Sequence, residues 1–211
     1  LVGNSASIDS TSNNSYVVFD QTPPSNFTVG QVISDGGTVV EDYWNSTNQN
    51  ILVTVPIDND SSLIDGAVQI LIRFDSSDTL EVGDAVTIAE SNINDTLVVT
   101  ISRIEFVNSQ HYNEGTTALF TARINDFAGY TRIGTASNDQ LQIDQTGPVI
   151  DSIAVESDNL FSNQGARSGD DVLITFRAQE EIMTPFVLIA GDTADDITRI
   201  GDIWIATRTM D

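Results

Sequence analysis

The sequence predicts an all-β chain of tandem antiparallel β-sandwiches, and three observations predict it. Apolar residues recur at every second position in run after run, which is the period of a half-buried strand. Clusters of Gly, Asn, Asp and Ser separate these runs at short intervals, and no stretch carries a sustained helical period. One motif also occurs twice, as Asp20-Gln21-Thr22-Pro23-Pro24 and as Asp144-Gln145-Thr146-Gly147-Pro148. Proline removes a ladder donor and biases the residue before it towards extended geometry. Set between two apolar runs, the motif therefore reads as a chain leaving one sheet domain for the next. Its two copies delimit residues 21–146 as one complete module. Residues 1–20 are expected to hold the closing strand of a preceding module, and residues 147–211 the front part of a following one.

The elements follow in order. A first strand is expected at 15–19, after a polar Ser/Asn/Thr approach. In the central module Ile51, Val53, Val55 and Ile57 alternate with Leu52, Thr54 and Pro56. Val68, Ile70, Ile72 and Phe74 then alternate with Gln69, Leu71 and Arg73. Residues 86–88, 97–104 and 118–124 continue the pattern. Turns fall at Gly36-Gly37, 58–60, 75–78 and 92–95, where Gly, Asn and Asp tolerate tight backbone geometry. Residues 61–65 are expected to form a helical turn and nothing longer. Beyond the second motif, strands are expected at 150–155, 172–178, 186–190 and 203–207. These are too few to close a sandwich of about seven strands.

Charge is the strongest global feature. Thirty-one acidic residues stand against eight basic ones, a net charge of −23, and all eight bases are Arg. Nucleic acid, which needs clustered cations, is excluded as an expected partner, and anionic membrane surfaces are disfavoured for the same reason. No apolar run approaches the roughly 20 residues that span a bilayer. The acids are mostly Asp, which suits either calcium sites or adaptation to salty water. With no Cys, disulfides, thiolate metal sites and Cys nucleophiles are absent. With no Lys, so is a Lys–Asn crosslink.

The segment Asn125-Asp126-Phe127-Ala128-Gly129-Tyr130, followed by Gln142-Ile143-Asp144-Gln145-Thr146-Gly147-Pro148, resembles the end of bacterial immunoglobulin-like repeats. Such repeats close with Asp-x-Ala-Gly-Asn, a last strand and a Val-Asp-x-Thr-x-Pro linker. Here Tyr130 stands where Asn is usual, and Gly147 where a small residue such as Ala is usual. The stretch from Ser168-Gly169-Asp170-Asp171 through Thr184-Pro185 to Trp204-Ile205-Ala206-Thr207 resembles the front half of such a repeat. The resemblance implies immunoglobulin-like sandwiches from a large extracellular surface adhesin or filament protein, without catalysis of their own.

It also implies calcium between modules, held by the Asp of the Asp-x-Ala-Gly loop and by the linker Asp. In this sequence those are Asp126 and Asp144, with Asp20 the linker counterpart at the preceding junction. Calcium takes six to eight oxygens, so carbonyls and water would complete the shell. The alternative for Asp126 is a turn cap through an Asx hydrogen bond. Asp58 and Asp60 are a secondary metal candidate, and so is the acidic run 192–196, although neither matches an Asp-x-Asp-x-Asp-Gly loop. Trp44 is a candidate for stacking on a glycan, against the alternative of a core tryptophan. The single histidine, His111, sits in a polar stretch, and no Gly-x-Ser-x-Gly or His-Glu-x-x-His motif accompanies it. No catalytic residue is assigned.

The expected function is a structural spacer or adhesive repeat of a long extracellular bacterial surface protein, rigidified by cations at its junctions. Its partners would be neighbouring modules of the same chain. A self-assembling filament subunit, which pairs with other copies of itself, and a module binding surface glycans are the alternatives.

Overall fold

A computed structural model describes residues 19–211. The strand expected at 15–19 lies, but for Phe19, outside the described residues. The chain is almost entirely β and divides into two compact units, one ending at Thr146 and one running Gly147–Asp211.

The first unit is a sandwich of two sheets. Strands β1 (Val32–Asp35), β3 (Asn50–Ile57) and β6 (Asp95–Ser102) form the smaller sheet in the order β1-β3-β6. The larger sheet is β2-β9-β7-β4-β5, with β8 (Thr131–Ile133) added beside β7. Its strands are β2 (Tyr43–Asn45), β4 (Ala67–Phe74), β5 (Leu80–Thr87), β7 (Thr117–Asn125) and β9 (Gln140–Asp144). The alternation in the sequence explains the packing. Ile51, Val53, Val55 and Ile57 turn inward from β3, and Ala118, Phe120, Ala122 and Ile124 from β7, into one shared core. Each fully buried aliphatic side chain contributes about 1.5–3 kcal/mol of transfer free energy.

Two poles follow from the register. Ala67 faces Asn125 at one end of the β4–β7 ladder and Phe74 faces Ala118 at the other. The first end is the N-pole, where the chain comes in; the second is the C-pole, where β9 leaves. The N-pole holds the 58–60 turn, the short 3-10 turn Ser61–Leu63 and the loop after β7. The C-pole is closed by α1 (Arg103–Val107), a single helical turn. Residues 103 and 104 thus belong to this helix and not to the strand expected over 97–104. Its Ser102-x-x-Glu105 capping box ends β6, because the Glu105 carboxylate accepts the Ser102 N–H at 2.7 Å and the box satisfies free helix donors.

The chain ends meet along a parallel seam. Arg132 Nε donates to the Pro24 carbonyl at 3.0 Å. Thr135 N donates to Phe27 O at 2.9 Å, and Val29 N donates to Thr135 O at 3.0 Å. Further along, the Ser137 hydroxyl donates to Gly30 O and Val32 N donates to Asp139 Oδ2 at 3.0 Å. The same run then pairs as β9 with β2, also in parallel, with Trp44 opposite Ile143. Gly134 permits the seam, since a Cβ there would collide with the Phe27 ring.

The second unit is one antiparallel sheet, β10-β11-β15-β14, beside a small β12–β13 hairpin. The strands are β10 (Ile150–Ser157), β11 (Asp171–Ala178), β12 (Leu188–Ile189), β13 (Asp192–Thr193), β14 (Asp196–Ile200) and β15 (Ile203–Thr209). Register places Ile153, Phe176 and Trp204 in one cross-strand row and Val155, Ile174 and Ala206 in the next. Phe176, Trp204 and Ala206 are buried, whereas Ile153 and Val155 on β10 are exposed. The strand expected over 186–190 shrinks to Leu188–Ile189, and the acidic run after it forms the β13 hairpin arm and the approach to β14. Asp192 there pairs with Arg208 at 2.9 Å, and Asp195 accepts the Thr209 N–H at 2.8 Å.

Candidate metal centre

The candidate centre lies at the N-pole of the first unit, where three segments meet. Asp20 comes in from the linker, Ser62 lies in the 3-10 turn after β3, and Asn125 ends β7 with Asp126 opening the loop after it. The turn docks on the loop through the Phe127 N–H, which donates to Ser62 O at 3.1 Å. Gly66 makes this approach possible. A Cβ there would meet the Asn125 carbonyl and, at 3.1 Å, the Asp126 Cα.

The Asp126 loop is braced internally. Asp126 Oδ1 accepts the Tyr130 N–H at 2.9 Å, and Asp126 N donates to Tyr130 O at 3.0 Å. Gly129 supplies the left-handed turn between them, at φ +95°. Only the main chain of residue 130 is used, so tyrosine in place of asparagine leaves this bracing intact. The Asx cap thus occupies one carboxylate oxygen of Asp126. The other, Oδ2, is buried with no partner, although the residue is only 4% exposed.

Asp126 Oδ2 has company. Asn125 Oδ1, Ser62 Oγ and Asp20 Oδ2 are likewise buried without partners. Asp20 keeps Oδ1 for the N–H and hydroxyl of Thr22, at 3.0 and 3.1 Å. The Thr22 N–H chiefly holds the Asp20 carboxyl below the usual carboxylate range, opposed by burial and helped by the Thr22 hydroxyl, the Gln21 N–H and the nearby Ser62 hydroxyl. Ser62 Oγ is near Asp20 without a well-formed hydrogen bond, so both atoms stay unpartnered. An orphaned buried polar atom costs about 1–3 kcal/mol, more when charged. Each of the four calls for a partner, an ordered water or an ion.

The donor set is entirely oxygen, which suits a hard cation such as calcium. Among the described residues no group of three or more Asp, Glu or His side chains is placed to hold a metal. A cation here would have the two carboxylates of Asp20 and Asp126, which match a divalent charge, and neutral oxygens for the remainder. The residues fit the ion.

The other expected site residues lie elsewhere or serve other roles. Asp144, opposite Asn45 at the end of the β2–β9 pair, is at the C-pole. The nine residues of β7 put roughly 26 Å between the poles at about 3.3 Å per residue. The structure therefore places Asp126 at the same pole as Asp20, each beside the Ser62 turn, and separates it from Asp144. Asp60 Oδ1 caps the 3-10 turn by accepting Ser62 N–H at 2.9 Å. Asp58 is exposed, and the Ser25 hydroxyl, then the Asn59 N–H, hold its carboxyl below the usual range. Trp44 is fully buried, edge-on to Phe106 at 5.1 Å and beneath the Arg103 guanidinium. Its faces are closed to a sugar, which corrects the glycan-stacking expectation. Ser62 and Asn125 carried no metal signal in the sequence. Only folding sets Ser62 near Asp20 and docks its turn on the loop that follows Asn125.

No protein-family model matches the chain, and no curated protein matches it.

Proposed function

We propose that the first unit is an immunoglobulin-like spacer module of a long extracellular bacterial surface protein, an adhesin stalk or fibre, stiffened at its N-pole by calcium. The observation that carries this reading is the set of four unpartnered buried oxygens on three segments. A calcium ion there neutralises Asp20 and Asp126 and ties the incoming linker to the body of the module. The ordered 3-10 turn and the braced Asp126 loop present their oxygens before any ion arrives, so little ordering entropy opposes binding.

Thermal unfolding in calcium, in chelator, and in chelator with high sodium chloride tests this. A ligand that binds only the folded state stabilises it by about 2.7 kcal/mol at a hundred times its Kd. Stabilisation that sodium chloride does not reproduce is the expected result. Full recovery in sodium chloride would mean that the −23 charge is answered by screening alone, and the calcium reading would fall.

A further inference from the structure

The parallel seam has a mechanical meaning. Residues 24–32 and 132–139 both run from the N-pole towards the C-pole, and β2 and β9 continue in the same direction. The incoming chain is attached at the N-pole end of one partner, and the outgoing chain at the C-pole end of the other. Tension between the ends makes the two partners slide past each other. Every bond across the seam is then loaded together, whereas a hairpin opened from one end loses its bonds one after another.

The stitching suits that load. A run of strand pairing supplies only part of it, the single Thr28–Thr135 bridge. Side chains of Arg132, Ser137 and Asp139 supply the rest, each reaching from one partner to the main chain of the other. Asp139 N also donates to the Ser137 hydroxyl at 3.0 Å, which couples two of the stitches. At the outgoing end Gln145 Nε2 donates to Trp44 O at 3.0 Å, beyond the last residue pair of β9.

We propose that this seam is a load-bearing device: it carries tension applied between Asp20 and Thr146 in shear, so the module transmits a pulling force without unravelling. The source of tension rests on the spacer reading, but the directional strength of the seam does not. It also does not need calcium.

Single-molecule pulling on the full 211-residue chain tests it. The absence of native cysteine lets handles be placed freely. Gln21→Cys with Gly147→Cys pulls the seam in shear. Gln21→Cys with Thr131→Cys pulls from the N-pole alone and opens the same seam bond by bond. In chelator, the first-unit rupture force should be several-fold higher in shear. Adding Ser137→Ala and Asp139→Ala should lower the shear force and leave the opening geometry nearly unchanged. Val99→Ala, a core variant away from the seam, should lower equilibrium stability while sparing the shear force, because forced unfolding follows the unfolding barrier and not overall stability. Equal forces in the two geometries would overturn the proposal. So would a Val99→Ala loss as large as that of the seam variants. A failed calcium stabilisation with the force contrast intact would remove the metal reading and leave this one standing.

Discussion

The Glu114 carboxylate accepts the main-chain N–H of Gln145 at 2.8 Å. Its other oxygen accepts the Thr146 hydroxyl at 3.1 Å. The side chain of Gln145 is held as well, since its Oε1 accepts from Arg103 at 3.2 Å and its Nε2 donates to Trp44 O. The second copy of the Asp-Gln-Thr motif is thus fastened to the module along its length, and the chain is released only after Thr146.

Glu114→Ala should therefore release the Gln145 N–H and the Thr146 hydroxyl, with little effect on the rest. Amide exchange at Gln145 should rise sharply, while global stability falls by about 1–3 kcal/mol, the net worth of two hydrogen bonds. Unchanged exchange at Gln145 would show that the fastening lies elsewhere.

The candidate centre predicts an asymmetry between two aspartates. Asp126→Asn keeps the acceptor for Tyr130 N–H but removes a carboxylate from the N-pole, so calcium stabilisation should disappear. Asp20→Asn should weaken it similarly. Asp144→Asn, at the other pole, should leave the calcium-dependent shift in Tm intact. Loss of the shift in Asp144→Asn with retention in Asp126→Asn would reverse the assignment.

Trp44→Ala should be among the most destabilising substitutions, at about 3–5 kcal/mol by loss of a buried aromatic. It removes the ring packed on Phe106 at 5.1 Å and the face under Arg103. Urea unfolding measures this directly. Native tryptophan emission should include a blue-shifted component from Trp44 that moves red on unfolding.

Acid should act on the helical cap. The Ser102 hydroxyl, then the Ser102 N–H, hold the Glu105 carboxyl below its usual range, against partial burial. A carboxyl depressed in the fold gives stability that is present above its unfolded value, about 4.3, and lost as pH falls through the folded value. Glu105→Gln should therefore flatten the stability profile below about pH 4.3. An unchanged acid limb would show that Glu105 is not titrating there.

Much of the fold was legible because alternation is a direct image of burial. Ile51, Val53, Val55 and Ile57 read as one face and are one face. The turn at α1 was written in Ser102-x-x-Glu105, but Ile101 and Ile104 prolonged the apparent strand and masked it. Ile104 is in fact 71% exposed. The seam was not legible, because its stitches pair residues more than a hundred positions apart and only folding brings them into line. For the candidate centre, Asp20 and Asp126 could be named from the resemblance to immunoglobulin-like repeats. Their placement at one pole could not, since it depends on β7 running from the C-pole to the N-pole.

The border strands of the larger sheet have a consequence for crowding. At one margin β2 is three residues long. At the other, β5 loses register between Val82 and Val86, and Gln69 Nε2 reaches across to the Val82 and Gly83 carbonyls at 3.0 and 3.1 Å. The groups that a foreign strand would seize are thereby too few on one side and thrown out of regular register on the other. Neither margin offers a long flat template, so copies packed side by side at high density would not recruit one another through this sheet into aggregates.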